Sequence, residues 1–188
     1  MASPYEGLLD HAERYLGAVT HGEPPDVGGY NRGFAIGFHR HPEHDMVSAA
    51  STGLRFQDLD FQLPEEVVCS ARPGQEREAG YLVHVVAELA LKDGKGHGHG
   101  GGYRNAEPLI PETQISSLAY SVHPQLPEEF NHYNDADGAP VLRFVTLIPM
   151  TDPEFRFVLA DNDGLQGLME VWRTNRTDIL DLYRRSAV

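Results

Sequence analysis

One cysteine, no long apolar run and a shortage of cations mark this chain first. The single thiol, Cys69, excludes an intrachain disulfide framework and any cysteine-based zinc cluster. It sits in the apolar run Val67-Val68-Cys69, where it reads as a small buried hydrophobe rather than a nucleophile. No stretch approaches the ~20 apolar residues of a membrane helix. The N-terminus, Met1-Ala-Ser-Pro-Tyr-Glu6, has neither the basic region nor the apolar core of a secretory signal, so the expected location is cytoplasmic. Basic residues number 15 against 28 acidic, a formal charge of −13. Nucleic-acid binders present a basic face, so neither nucleic acid nor a membrane is an expected partner. The acids are scattered, form no block, and would keep the chain soluble while steering basic partners toward it.

What is present reads as a globular protein. With 40% hydrophobic and 23% charged residues and no internal repeat or interior linker, residues 1–188 are expected to form one domain. Ser3-Pro-Tyr-Glu6 has a capping-box pattern, and Leu8, Leu9, Ala12, Leu16 and Val19 predict an amphipathic helix over 4–19. Residues 22–29 predict a turn-rich connection. Strands are predicted at 34–39, 46–52, 66–70, 114–122 and 141–148, the last central because it is almost continuously apolar and stopped by Pro149. A helix over 81–91 would bury Tyr81, Leu82, Val85, Val86 and Leu89 and end at Gly94. The Gly/His tract 94–102 is expected to be a mobile loop and residues 131–138 a polar turn. Thr151-Asp-Pro-Glu154 repeats the capping box and opens another helix, and Asp163 is placed to cap a further one carrying Leu165, Leu168, Met169 and Trp172. This order predicts an α+β fold, a mostly antiparallel sheet with helices packed on it.

No complete catalytic set is visible. His39-Arg-His41-Pro-Glu43-His44-Asp45 resembles the His-x-His-x-Asp-His signature of metallo-β-lactamase-type hydrolases, with Glu43 where Asp belongs. Zinc there would need later ligands, for which His84, His123 and His132 are the candidates. The alternative is a solvated loop between strands. His97 and His99 could hold a stray ion only by ordering a flexible glycine loop, and the tract lacks the Gly-Lys-(Ser/Thr) ending of a phosphate loop. There is no Gly-x-Ser-x-Gly elbow, and Ser48, Ser51, Ser116 and Ser117 lie on strands without a nearby base. Glu65-Glu66, Glu128-Glu129 and Asp135/Asp137 read as turn or strand-edge carboxylates. Trp172, Tyr183, Phe155 and Phe157 read as packing aromatics.

Three blocks carry a family resemblance. They are Met46-Val-Ser-Ala-Ala-Ser-Thr-Gly-Leu54, with Arg55 in place of the usual Ser; Glu65–Ser70 followed by Tyr81–Leu91; and Phe144–Phe157 with Gly164–Trp172 and the end Asp181-Leu-Tyr-Arg184. Together, over about residues 34–185, they resemble the suppressor-of-fused (SUFU) domain family. The resemblance implies a single SUFU-like module that binds protein partners, with no catalytic residue, cofactor or metal ligand. In two-lobed animal members a transcription-factor segment is held as an extra strand between the lobes, a mode not expected of one module. Stand-alone bacterial modules are often immunity proteins that neutralise a polymorphic toxin, and a basic toxin domain is the expected partner. A zinc-dependent hydrolase using His39, His41 and His44, and a scaffold sequestering a transcription factor or signalling peptide, are the alternatives.

Overall fold

The computed structural model describes residues 3–188. In chain order the elements are α1 (Leu8–Leu16), β1 (Ala18–Glu23), β2 (Asp26–Val27), β3 (Tyr30–Asn31), β4 (Ala35–Arg40), β5 (Val47–Thr52), β6 (Glu65–Ala71), α2 (Glu76–Asp93), β7 (Gly102–Arg104), β8 (Ile115–Ser121), β9 (His132–Asn134), β10 (Pro140–Thr151), α3 (Asp152–Ala160) and α4 (Leu165–Asn175). The main sheet has the order β1-β4-β5-β6-β10-β8-β7, with β9 added to the start of β10, while β2 and β3 form a separate hairpin. Among the named strands of the described residues only β6 and β10 pair in parallel, from Arg143↔Glu65 to Leu147↔Cys69. The other pairs are antiparallel, so the chain adopts the α+β architecture its sequence predicts. No helix among the described residues is long and apolar enough to cross a membrane.

Side chains alternate across a strand, so each strand supplies both faces of the sheet. On one face Ile36, Phe38, Val47, Ala49, Val67, Cys69, Val145 and Leu147 pack under α2. The other face carries two smaller clusters. Leu8, Ala12 and Leu16 of α1 cover Ala50, Val68, Leu142 and Phe144 at one end. Leu168 and Trp172 of α4 cover Ala119, Ile148 and Met150 at the other. Cys69 is fully buried, and loss of water around it pushes its thiol up to about 12, which leaves it an inert packing group.

Several local expectations are corrected. The first helix spans Leu8–Leu16, not 4–19. Ser3 Oγ accepts the Tyr5 amide at 3.3 Å in a preceding turn, and Gly7 starts the helix with a left-handed φ of 87°. Gly17 ends it at φ 92° and ψ 174°, a region essentially reserved for glycine. Val19 therefore belongs to β1, a strand that is exposed at all six positions and so lacks the apolar alternation that reveals strands. The buried stripe of α2 is Ala79, Leu82, Val83, Val86, Ala87 and Ala90, one step around from the predicted face, with Tyr81 exposed. Small residues choose this face because they let the helix lie close to the sheet. A Cβ on Gly80 would stand 2.7 Å from Phe38 Cζ.

Pro149 does not stop the central strand, which continues to Thr151. Residue 149 turns its carbonyl away from β8 toward Arg184 Nη2, 2.9 Å distant, so its missing N–H faces no ladder partner. Of residues 131–138 only 135–138 form the turn, with Gly138 N donating to Asp135 O at 3.0 Å, because His132–Asn134 is β9. Asp163 does not cap α4 with its side chain; Gly164 occupies that position. Trp172 is buried, with Phe155 and Phe157 packed on the same cluster, but Tyr183 is exposed and donates its hydroxyl to Glu78 at 2.9 Å.

Candidate functional site

The hydrolase-like histidines do not converge. His39 lies buried on β4 and donates Nδ1–H to Gly17 O at 2.8 Å. His41 Nδ1 accepts the backbone amides of Glu43 (3.1 Å) and His44 (2.9 Å), which closes the loop on itself. Among the described residues no three His, Cys, Asp or Glu side chains are grouped to hold a metal ion. His84 faces Glu88 and Arg32, and His132 is on β9. His123 lies near His41, but its ring nitrogens are engaged by Ser70 and by the amides of Gln125 and Leu126, so the later candidate ligands do not complete a metal site with the motif.

One constellation invisible in the sequence links Ser48 on β5, Ser70 on β6 and His123. The two hydroxyls are 2.7 Å apart, and Ser70 Oγ is 2.9 Å from His123 Nε2. It resembles a nucleophile–base pair, but the tautomer is wrong for one. His123 Nδ1 accepts the amides of Gln125 and Leu126 at 3.2 Å each, so the neutral ring carries its proton on Nε2 and donates it to Ser70. The adjoining cavity is about 10 Å³, room for a single water at most.

Burial pushes His123 down to about 3, with nearby His41 adding to the effect. The unfolded chain takes up that proton near 6.5, so between the two values it holds more protons than the folded chain. Stability is therefore expected to fall as pH drops below about 6.5, by up to about 1.4 kcal/mol per pH unit from this group. Denaturant unfolding of wild type and His123→Asn from pH 7 to 4.5 checks this. The wild-type curve should fall more steeply, and parallel curves would remove His123 as the cause.

The carboxylates at Glu65, Glu66 and Glu154 are the buried ones, and each is saturated by donors. Glu65 and Glu66 are neighbours on β6 and reach opposite faces. Glu66 accepts Ser51 Oγ (2.5 Å), Gly53 N (2.8 Å) and Arg55 Nη1 (2.6 Å), which fixes the Thr52-Gly-Leu turn. Glu65 accepts His97 N (2.6 Å) and Gly98 N (3.0 Å), with Arg143 Nη2 at 3.6 Å. His97 and His99 donate to the carbonyls of Val86 (2.9 Å) and Phe144 (3.0 Å). The Gly/His tract, expected to be mobile, is thus pinned across the sheet by a buried anion. Its imidazoles are spent on backbone, and Gly102 already belongs to β7.

What remains free is surface. Arg32, Arg40, Arg55, Arg72, Arg104, Arg143, Arg156, Arg173 and Arg184 each lie within 3.6 Å of a carboxylate. Most cations are therefore spent internally, and the acidic excess faces solvent. Helix α1 stands as a ridge with a trough on either flank. On the Leu9 side a trough of about 300 Å³ has Gly37 and Ala50 in its floor, with Arg55, Glu66 and His39 also lining it. Its rim is apolar, with Leu9 59% and Val19 40% exposed, and Phe56 (63%) extends it through an edge-on contact with Tyr5 at 5.5 Å. Beside it runs β1, whose outer edge has no strand partner in the described sheet. On the other flank an open trough of about 540 Å³ is lined by His11 and Tyr15 of α1, Glu128, Glu129, and His132 and Tyr133 of β9. Tyr133 donates its hydroxyl to Glu6 O, tying α1 to β9.

The family described as Suppressor of fused protein (SUFU) matches the chain over residues 15–185. No curated protein matches it by sequence. Among solved structures it is similar to a SUFU (suppressor of fused protein) homologue from Neisseria gonorrhoeae, at TM-score 0.66 and 17% identity, covering 98% of this chain and 97% of that one. It is also similar to a chain of the Sufu–Fu complex, at TM-score 0.68 and 13% identity, covering 98% and 92%. At these identities the likeness to both structures is one of fold.

Proposed function

The chain belongs to the suppressor of fused family, and from that membership we propose that it is a non-catalytic module that binds a protein partner, in a bacterial cytoplasm a toxin domain that it neutralises by covering it. The Sufu–Fu complex is a case of this fold held with another protein. The observation that carries the reading here is the exposed edge of β1 lying beside the apolar-rimmed trough. An unpaired strand edge offers main-chain donors and acceptors to an extended segment, while adjoining pockets select its side chains. At this edge Val19 N donates to Glu13 Oε1 at 3.0 Å, a side-chain contact an incoming strand can replace. Leu9, Val19 and Phe56 supply the apolar anchor, and the uncompensated acids speed approach of a basic partner.

The test is co-purification from the source cell followed by rescue of growth against the recovered domain. An immunity protein should bring down one toxin domain in equimolar amount, and Leu9→Asp/Val19→Asp should lower its affinity roughly tenfold or more while leaving the melting curve unchanged. Unchanged affinity would remove the β1 face from the interface. Recovery of a transcription factor or signalling protein would replace neutralisation by sequestration.

A further inference from the structure

The trough on the second flank of α1 has a composition of its own. Tyr15 and Tyr133 line it with aromatic rings on either side of His11, and Glu128 and Glu129 also line it as neighbouring carboxylates. Neither glutamate takes part in any ion pair of the described residues. This contrasts with the saturated buried glutamates: among the described residues no cation stands within ion-pair distance of either carboxylate, although Arg14 and Arg143 act on the neighbouring imidazoles from farther away. Arg14, on the same helix, is not part of the lining. The two imidazoles do not supply the missing charge near neutral pH. Burial lowers His11 against the raising effect of its bond to Phe130 O, and Arg14 lowers it further. Burial lowers His132 too, reinforced by His99 and Arg143 and opposed by Glu128. His11 is also fixed in place, its ring lying 5.8 Å from Phe144 and nearly parallel to it.

We infer that this trough seats an arginine side chain of the protein partner, the guanidinium lying against Tyr15 and Tyr133 and pairing with Glu128 and Glu129. A planar cation suits this trough better than a compact ammonium, because it can stack on an aromatic face and fork its N–H groups to carboxylates at once. The open form of the trough, about 540 Å³, admits a side chain presented from a neighbouring backbone. The seat deepens the partner-binding reading and rests on it, since it assigns the second flank of α1 to the same docked protein.

The test needs no natural partner. Fluorescence anisotropy of the full chain is measured with a labelled, unstructured Gly/Ser peptide carrying two arginines, and with its lysine and citrulline counterparts. The arginine peptide should bind, roughly tenfold more tightly than the citrulline peptide and more tightly than the lysine peptide. Glu128→Gln/Glu129→Gln should abolish most of that preference. Asp161→Asn/Asp163→Asn, which removes the same charge from the turn before α4, should leave it intact. Equal binding of all three peptides, an equal loss in both double variants, or no binding of the arginine peptide would each overturn the seat. Leu9→Asp/Val19→Asp should leave peptide binding unchanged, so failure of the seat and failure of the β1 docking face give different results.

Discussion

Glu154→Ala should cost about 3–5 kcal/mol of folding stability, a large share of the 5–15 kcal/mol that holds a typical domain. Its carboxylate closes the capping box with Thr151, accepting that residue's amide at 2.9 Å while Thr151 Oγ1 accepts the Glu154 amide at 3.4 Å. It also accepts Trp172 Nε1 (2.9 Å), Ala187 N (3.1 Å) and both outer nitrogens of Arg184 (2.7 and 2.9 Å). Burial alone would favour the neutral acid, but the Arg184 guanidinium and these donors outweigh it and hold Glu154 below the ordinary carboxylate range. Alanine would leave a buried guanidinium and an indole N–H without their acceptor, and the C-terminal segment would lose its clasp on α3. Equilibrium unfolding in urea measures the loss. Glu154→Gln keeps one acceptor oxygen, enough for either the Trp172 indole or the Thr151 amide but not both, and carries no charge, so it should lose less than alanine but still more than about 1 kcal/mol. An alanine variant with the wild-type midpoint would mean the clasp contributes nothing.

Gly17→Ala should be nearly as damaging, at about 3 kcal/mol or more. The residue sits at φ 92° and ψ 174° where α1 gives way to β1. An added Cβ would run into the Arg40 carbonyl group of β4, coming within 2.6 Å of its carbon. Those atoms are backbone at the end of β4, where Arg40 is paired with Ala18 on one side and Val47 on the other, so nothing there can rotate aside. Relief would require lifting α1 off the sheet, which would also break the His39–Gly17 hydrogen bond and open the trough beside β1. Gly28→Ala and Gly29→Ala are the controls. They too have positive φ, 60° and 85°, but no atom lies within 4 Å of the added carbon, so each should cost only about 1–2 kcal/mol. Similar losses at all three positions would show that the close approach of α1 to β4 is not what Gly17 provides.

Those two residues also show what the sequence discloses and what it hides. The Thr151–Glu154 box was legible because its partners are three positions apart. The clasp was not, because Trp172 and Arg184 arrive from 18 and 30 positions away. The strands under α2 were legible from apolar composition, and with them the α+β class. Strand β1 was hidden because a strand with neither face in the core has no period-two pattern to read. The Gly/His tract misled in the opposite direction. Its composition argues for freedom, and the anion that removes that freedom, Glu65, stands some thirty positions earlier (32 to His97, 33 to Gly98). Of the surfaces around α1, the apolar helical positions were visible. The pairing of Tyr15 with Glu128 across the second trough was not, since only the fold brings them together.

The parallel contact of β6 with β10 sets the order in which this molecule can come together. Val67 lies opposite Val145, with α2, β7, β8 and β9 between them in sequence. Such pairing must close a long loop before it is rewarded, which slows the search relative to a fold built from local contacts. On the ribosome β6 therefore waits, flanked on one side only by β5, until β10 has emerged. A nascent chain halted after α2 should hold its first four main-sheet strands, β1-β4-β5-β6, together but leave an open, aggregation-prone flank for as long as synthesis is paused.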